Sequence, residues 1–217
     1  MQKKIYTYES DEIKVTYDLK RCIHARECVQ GLNKVFDPQK RPWIQPENAR
    51  GDEIADVIET CPTGALHYEM KTSDRVEKPS SKNRIQLTQN GPVYFFGDLE
   101  VRNHEGSTVL KDTRFALCRC GASTNKPACD NSHEKVEWKA GADADKSKMP
   151  EIEEEEHDKL IIKLMKNGPA ILEGSYTMES ASIGEHTSDK GVALCRCGAS
   201  STKPFCDGTH KEIGFEG

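Results

Sequence analysis

The chain has 217 residues, of which 35% are hydrophobic, 6% aromatic and 31% charged, with a net charge of -5 and a mean hydropathy of -0.74. No run approaches the roughly 18 apolar residues of a membrane span, and the first ten residues lack the apolar stretch of a signal peptide. The acidic balance argues against a nucleic-acid binder held by phosphate contacts. The expectation is therefore a soluble, cytoplasmic protein. So lean an apolar supply suits several small units, and small units need staples.

From the N-terminus, Ile5–Tyr8 and Ile13–Tyr17 alternate apolar and polar residues around Ser10-Asp11 and predict a strand pair. Ile54, Val57 and Ile58 recur at helical spacing behind Asp52 and Glu53, which predicts a helix over 52–60. Cys22, Cys28 and Cys61 belong to this first unit, residues 1–70, and Cys61 opens the run CPTGA. The spacing, with a remote Cys-Pro after an amphipathic helix, resembles a single-cluster bacterial ferredoxin. Ala25 stands where that family places its middle cysteine. The resemblance implies a 3Fe–4S site, or a divergent 4Fe–4S site completed by water or a nearby side chain, His24 being the nearest candidate. The alternatives are an exposed loop histidine at 24 and a decayed site that binds nothing.

Residues 71–83 are polar and read as a linker. Beyond them the chain repeats itself. A constant shift of 77 carries Asn90-Gly91-Pro92 onto Asn167-Gly168-Pro169, Gly97 onto Gly174, and the octapeptide ALCRCGAS of Ala116–Ser123 onto that of Ala193–Ser200. About 20 of the 49 positions from 85 to 133 are identical to their counterparts, crowded at the cysteine-rich end. The repeats span 84–138 and 159–217, and each reads as mainly β. Arg84–Leu87 and Leu160–Leu164 lead into the Asn-Gly-Pro turns, Val93–Phe96 and Ala170–Leu172 follow, and Phe115–Leu117 and Val192–Leu194 enter the cysteine segments. Residues 139–158, with the acid run Glu153–Glu156, read as a solvated linker between them.

The nine cysteines thus fall into three groups of three. In a reducing compartment an odd set is a poor disulfide framework, and clustered cysteine near histidine points first to metal or cofactor ligation. Disulfides and unrelated buried thiols are the weaker readings. Each repeat offers Cys-x-Cys, a third cysteine nine residues on and a histidine four later: Cys118, Cys120, Cys129, His133, then Cys195, Cys197, Cys206, His210. The stretches CRCGASTNKPACDNSH and CRCGASSTKPFCDGTH resemble the CDGSH iron–sulfur (NEET) motif, with Asn131 for the usual Gly and Thr209 for the Ser. Asn tolerates the left-handed backbone better than most residues. The resemblance implies a 2Fe–2S cluster per motif, Cys118/Cys120 and Cys195/Cys197 on one iron, Cys129/His133 and Cys206/His210 on the other. That division is sterically coherent, because residues i and i+2 of an extended segment share a side. Asp130 is placed to cap a helical turn carrying Cys129 and His133, Pro127 and Pro204 stiffen the approach, and Gly121 and Gly198 let backbone pass close to sulfur. Structural zinc is the competing assignment for three Cys and one His.

The fold class expected is α+β, a small ferredoxin-like domain followed by a mainly-β pseudo-two-fold pair of repeats joined within one chain. No triad, carboxylate pair or phosphate loop is evident, so no enzyme is expected. The available function is one-electron transfer to a redox partner protein, or cluster delivery to an apo-protein acceptor or redox and pH sensing. Neither membrane nor nucleic acid is an expected partner. His104, His157 and His186 have no counterparts under the shift and are expected at the surface.

Overall fold

A computed structural model describes residues 1–153 and 158–217. Residues Gln2–Lys78 form one compact unit, and Pro79–Gly217, with Met1, form a second.

In the first unit, β1 (Ile5–Glu9) and β2 (Ile13–Asp18) pair antiparallel as expected, and β2 also pairs with β3 (Leu66–Met70). A short helix α1 (Glu27–Gly31) follows the first two cysteines, and α2 (Gly51–Glu59) begins one residue before the expected start. The start of α2 is fixed by carboxylates: Glu53 accepts the Arg50 backbone N–H at 3.2 Å, and Glu12 accepts that of Gly51 at 2.7 Å. Acids there suit the positive end of the helix. Ile54, Ala55 and Ile58 turn onto Ile13, Val15, Phe36 and Ile44, all fully buried.

The second unit is built on one sheet. Its strands are β4 (Arg84–Leu87), β5 (Val93–Arg102), β6 (Thr108–Leu117), then, after the one-turn helix α3 (Ser132–Lys135), β7 (Leu160–Leu164), β8 (Ala170–Glu173), β9 (Tyr176–Ser180), β10 (Gly184–Ser188) and β11 (Ala193–Leu194). The order is β10-β9-β4-β5-β7-β8-β11, with β6 on β5. The register repeats the sequence duplication. Leu99–Arg102 of β5 pair in parallel with Leu160–Lys163 of β7, and Arg84–Gln86 of β4 pair in parallel with Thr177–Glu179 of β9. Adding 77 to the first member of each pair and subtracting it from the second turns one ladder into the other. Within a repeat the pairing recurs with 77 added to both members, Val93 opposite Leu117 becoming Ala170 opposite Leu194.

Glycine makes this exchange of neighbours possible. The register of β5 slips between Phe96 and Leu99, where Gly97 has φ 139°, and Gly174, with φ 109°, separates β8 from β9 at the equivalent position. The first half of each run pairs within its own repeat and the second half reaches the other. One core results, containing Ile85, Phe95 and Val101 of the first repeat with Ile162, Leu172 and Met178 of the second, all fully buried.

Two expectations fail here. His186 is only 5% exposed, not on the surface, and its Nε2 lies 2.6 Å from the Met149 carbonyl oxygen. The segment read as solvated linker is mostly exposed but is tied to the repeats: Met149 is fully buried, Ser188 donates to the Pro150 carbonyl, and the Ile152 N–H donates to Thr187. One buried methionine and backbone pairing outweighed a composition that was polar on average. His104 is exposed as expected. His157 and residues 154–156 of the acid run lie outside the described residues.

Candidate metal centres

Both motifs are built by the same short ladder. The Cys118 N–H donates to Pro127 O and the Cys129 N–H to Ala116 O, and their counterparts join Cys195 to Pro204 and Cys206 to Ala193, all at 2.7–2.9 Å. This folds the Cys-x-Cys strand against the third cysteine. Ser123 and Ser200 then lock the connecting loop by donating to Ala128 O and Phe205 O at 2.7 and 2.6 Å. Asp130 accepts from the Ser132 N–H at 3.0 Å and from Thr124 at 2.7 and 2.8 Å, and Asp207 makes the same set to Thr209 and Ser201. The carboxylate thus ties the turn bearing the histidine to the opposite side of the loop, although the N-cap position itself is Asn131, which makes no side-chain cap bond. Cys129 itself lies just outside the helix. The turn requires a left-handed residue, which Asn131 supplies with φ 70° and Gly208 with φ 94°.

The donors meet in pairs. Cys118 and Cys120 sulfurs lie 3.6 Å apart, as do those of Cys195 and Cys197. The Cys129 sulfur is 3.5 Å from His133 Nδ1, and Cys206 is 3.3 Å from His210 Nδ1. Two ligands at about 2.0–2.3 Å on a tetrahedral metal are separated by about 3.3–3.8 Å, so each pair is spaced for one metal ion. No three of the eight atoms gather within 4.8 Å of one another. A closed site for a single ion would bring all four donors of a motif together, and here they stand as two pairs.

Titration tells the same story. Hydrogen bonding from Cys120 holds the Cys118 thiol down at about 6, while sharing that proton pushes Cys120 well above its ordinary value. Burial pushes Cys129 up to about 12. Three such thiols do not all give up their protons without a cation to supply the opposing charge.

Sequence reasoning missed the arginine inside each motif. Arg119 and Arg196 are 2% and 4% exposed. Arg119 donates from Nε to Gly91 O at 2.8 Å, from Nη1 to Gly141 O at 3.1 Å and from Nη2 to Thr88 O, and it lies 5.0 Å from the Trp138 ring. Arg196 repeats this with Gly168, Gly217 and Met165, and with Phe215, the counterpart of Trp138. Burial works against both cations, and the thiol that opposes this at Arg119 is Cys195, at Arg196 Cys118, each from the other repeat. Duplication of the whole octapeptide was the available signal. Gly121 passes close to sulfur as expected, its backbone hydrogen-bonding Cys118, and both glycines also serve the pairing: a Cβ at Gly121 would sit 2.5 Å from the Cys197 carbonyl oxygen, and one at Gly198 would strike that of Cys120.

The two motifs differ in exposure. Cys129 and His133 are buried, whereas Cys206 and His210 are half-exposed.

In the first unit, Cys22, Cys28 and Cys61 line one cavity of about 910 Å³, walled by Tyr17 and Trp43 and bordered by His24. Burial, with the charges of Cys61 and Cys22, pushes the Cys28 thiol up to about 12. Three thiols facing one cavity fit a cluster-bearing site.

Among the described residues no helix is long and apolar enough to cross a membrane. The family model for a divergent 4Fe-4S mono-cluster matches residues 8–71, and that for the iron-binding zinc finger of CDGSH type matches 90–134 and 167–211. Residues of this chain are 38% identical over 64 positions to the uncharacterized protein YjdI of Escherichia coli K12, covering 30% of this chain and 84% of YjdI; the O157:H7 protein gives the same figures. No solved structure matches.

Proposed function

We propose, for a chain that belongs to the divergent 4Fe-4S mono-cluster family in residues 8–71 and to the CDGSH-type iron-binding family in residues 90–134 and 167–211, a role as a one-electron carrier. Cys118, Cys120, Cys129 and His133 hold one 2Fe–2S cluster, and Cys195, Cys197, Cys206 and His210 hold a second. Cys22, Cys28 and Cys61 hold a 3Fe–4S or 4Fe–4S cluster. Bound clusters of these types take up and release single electrons. The protein's own part is to keep the donors paired, to shield them, and to set the charge around them through Arg119 and Arg196. A redox partner protein completes the cycle, and no substrate-converting step is assigned.

The observation that carries this proposal is the direct contact of the two Cys-x-Cys loops at Gly121 and Gly198. It favours an intramolecular pseudo-two-fold pair whose two centres are neighbours. Anaerobically prepared protein is expected to show visible charge-transfer absorption, EPR signals of reduced 2Fe–2S centres, and retention of iron through repeated reduction and oxidation. Colourless, zinc-loaded protein from iron-replete cells sinks the proposal.

A second role is supported by the half-exposed Cys206 and His210: delivery of that cluster to an apo-protein. Mixing with an apo-ferredoxin separates the two, since fast transfer favours delivery and retention over many redox cycles favours the carrier.

A further inference from the structure

Three thiols satisfy three corners of a four-iron cluster and leave one iron for another donor. The loop between Cys22 and Cys28 has an unusual backbone: His24 has φ 58° and Arg26 φ 71°, both left-handed without being glycine. Such conformations are strained and persist where a site demands them. Ala25, between them, offers no donor. His24 instead borders the same cavity as the three cysteines, and its Nδ1 lies 4.0 Å from the Cys22 sulfur.

The other polar groups at this wall are occupied or unsuited. Tyr17 is buried and hydrogen-bonded to Cys22. Thr63 Oγ1 accepts from the Ala65 N–H at 3.2 Å and lies 3.6 Å from Cys61 sulfur. Glu27 sits in the first turn of α1, where its charge favours the helix. Imidazole is in any case the better partner for iron beside thiolates. His24 is exposed, so its ring turns about its side-chain bonds without disturbing a packed neighbour.

We propose that His24 is the fourth protein ligand of a 4Fe–4S cluster in the N-terminal unit, which makes this the chain's third site of three cysteines and one histidine. The inference rests on the proposal that Cys22, Cys28 and Cys61 hold a cluster.

The test uses the full chain, reconstituted anaerobically with iron and sulfide, as wild type, His24→Ala and His24→Cys, read by iron per chain and by EPR of oxidised and reduced samples. Far-UV circular dichroism and the absorption of the two other centres report folding. Wild type is expected to hold about eight irons. His24→Ala is expected to hold about seven and to gain the oxidised-state EPR signal of a three-iron cluster. His24→Cys is expected to restore the fourth iron and lower the potential of that centre alone. Wild-type iron content and spectra in His24→Ala overturn the proposal, as does a three-iron cluster in the reconstituted wild type. About four irons in all three proteins overturns the N-terminal cluster itself, a distinguishable failure.

Discussion

At the scale of single residues, the proposed ligation makes His133 and His210 decide how the paired centres respond to acid. Burial holds the imidazole of His133 below its ordinary value. The folded repeat therefore keeps the ring neutral where the unfolded chain has already taken a proton. Stability is lost as pH falls through about 6.5 toward the folded value, and a protonated ring does not bind iron. Replacing either histidine by cysteine substitutes a stronger anionic donor. His133→Cys and His210→Cys are expected to lower the potential of their own centre and to slow acid loss several-fold at about pH 5.5, followed by redox titration and by the decay of visible absorption. Unchanged potentials and decay rates in both variants count against histidine ligation. The meeting of Cys118 with Cys120 and of Cys129 with His133 was legible because spacing carries it. Arg119 and Arg196 were not, since nothing local in a sequence says that a charged side chain will be 2% exposed and bonded to carbonyls some 30 residues away.

At the scale of elements, the glycine pair Gly97 and Gly174 is where each repeat hands a strand to the other. A methyl group at Gly97 would strike Asn83 Oδ1 and sit 2.9 Å from the Asn83 Cα, with φ at 139°. Asn83 in turn donates to Asp158 O at 2.6 Å and Ser175 O at 3.1 Å and accepts from the Asp98 N–H, so it fastens both repeats. Gly97→Ala is therefore expected to destabilise the Pro79–Gly217 unit by at least about 1–3 kcal/mol, measured by urea unfolding with the clusters in place. A variant as stable as wild type contradicts the role given to this glycine. Most strands were legible from alternation and from the Asn-Gly-Pro turns. The continuation of β5 to Arg102 was not, because 98–111 shares almost nothing with 175–188, yet both segments form strands. Their partners, Leu160–Lys163 and Arg84–Gln86, are set by tertiary pairing, which local pattern does not encode.

At the scale of the molecule, strands of both repeats share one sheet, and on the proposed reading the two motifs need no second chain. Cross-repeat ion pairs reinforce the parallel ladders: Arg84 with Glu179 at 3.0 Å, and Lys159 with Glu100 at 3.6 Å. The mass in solution is expected to stay at one chain of 24.3 kDa, with the absorption of both paired centres unchanged on dilution, as sedimentation at falling concentration checks. An obligate dimer that loses its clusters when diluted refutes intramolecular pairing. The exchanged strands also bear on how the protein is made. Because β4 finds its parallel partner only in β9, the first repeat has no complete sheet until residues near 180 have left the ribosome. Domains ordinarily fold in the order of synthesis; here the first motif must wait for the second. On the proposed reading, iron then enters both sites only once the second repeat has been made, not one motif at a time.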